Sequence, residues 1–484
     1  MTLVTVAGAN YGSHMTEIWQ WNTATTAEKI ASGEVTAREV TEAHLARLDE
    51  VNPVLNAVTH DVRESARAAA AACDERQAAG QPLGQLHGVP VTIKENIDVQ
   101  GQPTPNGIPA FANTIAPADS PLVGHLQAAG AVVVGRTNTP ELSYRWHTIN
   151  PLRGETKNPW GDHRTPGGSS GGAAAAVAAG IGTIAHGNDL GGSVRQPANC
   201  CGLVGLRPSL GRIPAFNPSA PAERSLALQL MSVQGPLAPE VADVRLAFEI
   251  MAQASPHDPW HIAAPVDGPP VEGPLRVAAT YGTSRITTDA AVRAAIDAAA
   301  AHLGDAGYEV EFVDPPAFDD ILDGWQSILA TETQATMADV LPQIGSDDFL
   351  RMLTWMFTDD ALLDLPQYIE AYMARQRILR EWTCFLAERP LVLAPVSQQV
   401  PFAPNADASG LERFTEILTG HTPLVAVNYL GLPAVAAPAL LDESGPVGVQ
   451  LIGRPLREDL CLDAAQAIED RVGVMVEQLW QRES

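Results

Sequence analysis

The sequence predicts an α/β fold, a mixed central sheet covered by helices with a helical, cap-like elaboration. Three observations carry that expectation. Helical spacing at 121–129 gives way to a short apolar strand at 131–135, the helix-then-buried-strand order of an α/β layer. The pattern returns downstream, where strand candidates at 275–281 and 308–313 flank a helix at about 287–304. The chain is also large enough, at 484 residues with 45% hydrophobic content, to bury an extensive core.

Taken in order, residues 16–72 read as helices. Thr26 or Thr36 can cap them, and apolar positions recur at three and four residues through Val40, Ala43, Leu45 and Leu48. The alanine-rich stretch 65–79 continues the pattern until Gly84 and Gly88 break it. A short strand then begins at Val89, with Pro90 near its start, where a missing N–H is tolerated, and Lys94 at its C-terminal end.

A loop rich in Gly, Pro and Asn (100–120) leads to the helix–strand pair, and a second loop spans 137–166. The segment 165–207 carries two glycine-wrapped serine clusters, Gly167 to Gly172 and Gly191 to Ser193. A helix at 172–180 and a strand at 181–186 are expected between them. Out and back over similar lengths, these two elements can bring the clusters together.

Further strand candidates lie at 391–394, 434–437 and 447–452, and 320–389 reads as helical, with Trp325, Trp355, Met356 and Phe357 among its bulky residues. No repeat or long linker divides the chain. The expected organisation is one domain over 16–484, with a helical elaboration at about 240–390 that caps the site. Gly12-Ser13-His14-Met15 reads as a tag or linker remnant, so residues 1–15 are expected to stand outside the fold.

Charge narrows the function. Thirty basic against 56 acidic residues give a net charge of −26, which argues against nucleic acid, whose phosphates call for clustered Lys and Arg. No apolar run is long enough to span a bilayer and no leader pattern opens the chain, so a cytoplasmic protein without membrane attachment is expected. Five cysteines without a CxxC pair suggest neither a disulfide framework nor a zinc site. Only three of the basic residues are lysines, Lys29, Lys94 and Lys157. Each therefore invites the question of what arginine could not do there.

Three chemistries compete for the glycine stretch. A phosphate cradle lacks its GxxxxGK[ST] signature. A nucleophile elbow is satisfied in letters by Gly168-Ser169-Ser170-Gly171-Gly172, which would make Ser170 the nucleophile, but it needs a strand running into the turn. Residues 158–166 are loop formers instead. The third comes from resemblance. GGSSGG, then AHGNDLGGSVRQPANCCGLVGLRP, with upstream VPVTIKENIDV and AAGAVVVGRTNTPE, resemble the amidase signature family over nearly the whole chain. The wording AHGND-GGSVR-PA is most similar to the branch containing 6-aminohexanoate cyclic dimer hydrolases, and the family also includes aryl amide and urethane hydrolases.

That resemblance implies the amidase-signature α/β/α fold and a Ser-cisSer-Lys triad, with Ser193 as nucleophile, Ser169 bridging after a cis peptide and Lys94 as base. A serine hydroxyl is a poor nucleophile without a base nearby. A desolvated lysine can be that base, whereas arginine stays protonated. The run Leu190-Gly191-Gly192-Ser193 can turn backbone N–H groups onto an oxyanion, and Asp189 with Arg195 is expected to brace the loop. The resemblance also places Ser143 beside the acyl pocket, with Ser169 the second substrate contact.

The implied function is cleavage of amide or carbamate C–N bonds in small low-polarity substrates through an acyl-enzyme. No cofactor or metal is expected, and the expected state is a monomer or homodimer. The alternative is the glutaminase component, the A chain of a tRNA-dependent amidotransferase.

Overall fold

A computed structural model describes residues 18–483, so the expected remnant at 1–15 lies outside the described residues. The strands are β1 (Val58–His60), β2 (Pro90–Lys94), β3 (Val132–Thr137), β4 (Ile149–Asn150), β5 (Gly154–Glu155), β6 (Ile184–Asp189), β7 (Val204–Arg207), β8 (Val233–Ala238), β9 (Arg276–Ala279), β10 (Glu309–Phe312), β11 (Leu391–Pro395), β12 (Ala434–Asp442) and β13 (Gly445–Gly453). Eleven of them form one sheet in the order β1-β3-β2-β6-β8-β7-β12-β13-β11-β9-β10, while β4 and β5 pair separately. The sheet is mixed, as expected. β2 runs parallel to β3 and β6, whereas β8 is antiparallel to both β6 and β7.

Alternation along the strands builds two cores. Val91 and Ile93 of β2, with Leu391 and Leu393 of β11 and Leu451 of β13, face one large apolar cluster that includes Val244, Phe248 and Ile296 of the covering helices. Val392 and Ala394, one residue out of phase, face a second cluster with Trp325, Ile328 and Trp382. The same period of two sends Thr92 and Lys94 to the side opposite Val91 and Ile93. Lys94 thus ends a strand buried along its whole length, at the crevice where open α/β sheets place their ligands.

The helix Gly171–Ala178 packs against β2, β6 and β8 with all eight residues buried. Its sequence, GGAAAAVA, has no polar face to give to water, as befits a helix enclosed on every side. A Cβ on Gly172 would run into the Asn138 backbone, so small residues here are a packing requirement.

Three sequence expectations shift. The strand expected at 181–186 begins at Ile184 and runs to Asp189, because Gly180 and Gly182 at φ 86° and 76° turn the chain first. β7 and β8 are additions that the sequence pattern does not signal. Gly235-Pro236 reads as a breaker, yet Pro236 sits in register opposite His186 inside β8. Within the elaboration expected at 240–390, β9 and β10 extend the sheet, and Val241–Met251 contributes Val244 and Phe248 to the first core. The cap-like helical layer is therefore narrower, from Ile321–Met337 to Leu365–Glu388. Among the described residues no helix is long and apolar enough to cross a membrane.

Candidate active site

The two serine turns meet through the backbone, the Ser170 N–H donating to the Ser193 carbonyl at 3.3 Å. Ser169 follows a cis peptide bond from Gly168. Gly168 has no room for a side chain, since a Cβ would collide with the Arg145 carbonyl. Ser170 ends the irregular approach and precedes the helix Gly171–Ala178. No strand feeds that turn, which removes the structural condition for an elbow.

Lys94 reaches this point from the end of β2. Its Nζ is 2.7 Å from Ser169 Oγ, 3.1 Å from Ser170 Oγ and 2.7 Å from Asn188 Oδ1. Full burial pushes its pKa well below the ordinary lysine value, opposed by the Asp189 carboxylate. The other two lysines are partly exposed and face carboxylates, Lys29 with Glu34 and Lys157 with Asp162. Only at position 94 is the amine enclosed by neutral partners, two hydroxyls and an amide oxygen.

Asp189 and Arg195 pair inside the protein, at 3.0 Å with both side chains fully buried. Burial alone would raise the Asp189 carboxyl. The Arg195 guanidinium, with Arg207 and the Asn428 amide, instead holds it far below the usual carboxylate range. Asp189 also accepts the Gly192 N–H at 2.8 Å and the Val194 N–H at 3.2 Å, so it shapes the turn that carries Ser193. At Gly192 the backbone φ is +97° and a Cβ would stand 2.6 Å from Leu424, a position that requires glycine.

The backbone donors of this turn are not equivalent. The Gly192 N–H is committed to Asp189. Among the described residues no acceptor meets the N–H of Gly191 or Ser193. Ser193, Gly191 and Leu190 line a small cavity. Its far wall is apolar, built by Trp325, Leu329, Met356 and Phe357 of the cap together with Tyr144.

Ser143 borders the same cavity, but its hydroxyl is turned into a polar knot. It donates to Asn106 Oδ1 at 2.9 Å and accepts from Asn96 at 3.0 Å, with Thr139 Oγ1 at 3.0 Å. Its φ of +64° helps set that direction. Arg145, which also lines the cavity, is bidentate to the buried Asp407, at 2.6 and 3.1 Å.

Sequence reasoning misses three features. Asn188 reads as part of a loop, but it stands in β6 and its side chain reaches Lys94. Ser170 figures in the sequence only as an elbow nucleophile, yet it also contacts the amine. Trp146 does not stand out because it sits in a long loop. Only its place beside the serine segment signals it. Among the described residues no group of three or more His, Cys, Asp or Glu side chains converges as a metal site.

A protein-family model described as Amidase matches residues 39–462. The chain belongs to the amidase family. It is 48% identical over 465 residues to an indoleacetamide hydrolase of Bradyrhizobium diazoefficiens, covering 96% of this chain and 89% of that protein. It is 33% identical to the A chain of the glutamyl-tRNA(Gln) amidotransferase of Synechococcus, with 93% and 96% covered. The solved 6-aminohexanoate cyclic dimer hydrolase complexed with substrate superposes with a TM-score of 0.80 at 27% identity, over 94% of this chain and 98% of that one. This amidase is accordingly a hydrolase acting on amides, and the sequence resemblance is borne out at the level of family and fold.

Proposed function

We propose that this amidase cleaves small, uncharged amides carrying a flat apolar acyl group through Ser193, Ser169 and Lys94, with arylacetamides such as indole-3-acetamide first among candidates. One observation carries the reading. A fully buried lysine amine stands 2.7 Å from Ser169, on the turn that is backbone-bonded to Ser193. A neutral amine has two N–H donors and one lone pair. Asn188 Oδ1 can only accept and Ser170 can take the second N–H, which leaves the lone pair for the Ser169 hydroxyl.

The reaction then runs as acyl transfer. Ser193 Oγ attacks the amide carbonyl, its proton passes to Ser169, and the Ser169 proton passes to Lys94. The oxyanion is met by free backbone donors of the Leu190–Ser193 turn. Collapse expels the amine, which takes a proton back along the same path. Water, activated in the same way, releases the carboxylic acid.

The cavity supports the choice of acyl group. Its apolar wall of indole, phenyl and thioether suits an aryl ring. Among the described residues the one cation lining it is already paired with Asp407, so a substrate carboxylate such as that of glutamine finds no free partner there. Aryl carbamates present the same carbonyl and remain second candidates. We take it to be a cytoplasmic monomer or homodimer.

The test is a panel of indole-3-acetamide, phenylacetamide, an anilide, an aryl carbamate and glutamine, with ammonia or amine release measured for the purified chain and for Ser193→Ala. Hydrolysis of the arylacetamides that vanishes in Ser193→Ala is expected. Preference for glutamine, or turnover retained by the variant, overturns the reading.

A further inference from the structure

Two indoles grip the glycine turn from outside it. Trp325 Nε1 donates to the Leu190 carbonyl at 3.2 Å, and Trp146 Nε1 donates to the Gly191 carbonyl at 2.8 Å. Among the described residues no other donor reaches either oxygen. Both rings are buried. Trp146 is stacked on His421 with centroids 4.7 Å apart, and Trp325 lies so close to Gly191 that a Cβ there would stand 3.1 Å from its ring.

In a trans peptide the carbonyl and the following N–H point in opposite directions. Fixing one end of the plane therefore aims the other. Trp146 holds the Gly191 carbonyl, and at the opposite end of that peptide the Gly192 N–H is held by Asp189 Oδ1 at 2.8 Å. This peptide is clamped at both ends. Trp325 holds the Leu190 carbonyl, and the Gly191 N–H at the opposite end of that peptide is left without an acceptor among the described residues. This one is clamped at one end, with a donor free.

We propose that Trp325 and Trp146 are positioning residues for the oxyanion site. Trp325 aims the Gly191 N–H at the substrate oxygen, and Trp146, together with Asp189, locks the neighbouring peptide so that the turn cannot rotate. The proposal rests on Ser193 being the nucleophile. An oxyanion donor contributes through its preorganised direction, and loss of one lowers kcat by about 100- to 1,000-fold. A donor that remains but is no longer aimed should lose part of that.

Trp325→Phe keeps an aromatic wall and removes the N–H. The expected result is a kcat lowered about 10- to 100-fold with KM changed less than about threefold. Trp146→Phe should lose less, because Asp189 still holds its peptide. Affinity for an arylacetyl trifluoromethyl ketone, which mimics the tetrahedral state, should fall in proportion to kcat/KM, whereas affinity for the carboxylic acid product should not. Replacement of Trp325 by benzothienylalanine, whose sulfur stands where the indole N–H was, should reproduce the kcat loss without a change of shape.

A rise in KM at constant kcat would mean that Trp325 is only a pocket wall, and would overturn the proposal. So would full activity of the benzothienylalanine form. If Ser193→Ala stays active, it is the nucleophile assignment that fails, so the two failures are distinguishable.

Discussion

Lys94→Met is the substitution that separates chemistry from folding most sharply. It removes a nitrogen that touches Ser169, Ser170 and Asn188 and leaves a side chain of similar length in a fully buried slot. General-base catalysis contributes about 10²- to 10⁴-fold, and where residues act as a unit the loss of one costs about as much as the loss of all. A fall in kcat/KM of at least about 10⁴-fold is therefore expected.

Stability should respond differently. The Asn188 oxygen is orphaned at a cost of about 1–3 kcal/mol, but a buried amine is removed as well. Because burial lowers the Lys94 pKa, the unfolded chain takes up a proton that the folded chain refuses. That weakens the fold as pH drops below the ordinary lysine value of about 10.4, down to the folded pKa, and not above it. Met abolishes this contribution, so the two effects oppose one another, and urea midpoints at pH 8 should differ by little. The wild-type pH profile supplies the second half of the test. The proposed relay needs the neutral amine, so kcat/KM should rise with pH on a limb lying well below about 10.4. More than about 1% residual kcat/KM in Lys94→Met, or a wild-type limb near about 10.4, would refute the reasoning.

Three further outcomes follow from other parts of the molecule. Asp189→Asn leaves Arg195 buried without its anion, and urea unfolding should register a loss of about 3–5 kcal/mol; a loss below about 1 kcal/mol would contradict the brace. Burial pushes the Asp243 carboxyl up to about 7 despite the Thr23 N–H bonded to it. Its contribution is therefore fully present below the unfolded value of about 3.9 and lost as pH rises through about 7. Asp243→Asn should narrow the stability gap between pH 4 and pH 8, and an unchanged gap would refute the assignment. Phe357 lines both the small cavity at Ser193 and a hollow of about 620 Å³ beside Leu341 and Leu353. Phe357→Ala should shift the kcat/KM ratio of a two-ring to a one-ring amide upward by about tenfold or more, the scale on which pocket walls discriminate; an unchanged ratio would show that the ring is no barrier.

Much of the sheet could be read from the residues, because β2, β3, β11 and β13 announce themselves as short, mostly apolar runs between turn formers. β8 could not, since Gly235 and Pro236 look like a turn until β6 and β7 are present on either side to pair with them. The serine turns are legible as glycine clusters, and the lysine as an oddity in an arginine-rich chain. What stays hidden is the grip on those turns. Trp146, Trp325 and Asn428 come from distant segments, and no local pattern marks an indole that will meet a carbonyl more than a hundred residues away, as Trp325 does with Leu190. Asn188 escapes notice for a smaller reason. A strand end displaced by a few residues reads as loop.

The enclosed helix Gly171–Ala178 bears on how mutational scans of this protein should be interpreted. Every position in it is filled to the wall by a hydrogen, a methyl group or one isopropyl group, so almost any replacement adds volume where none is free. A scan scored by activity will display a block of intolerant positions running on from Ser170, and nothing in the scores will separate it from the chemistry next door. Abundance of folded protein, scored alongside activity, would divide them: the helix positions should lose both, while Lys94, Ser169 and Ser193 should lose only the second.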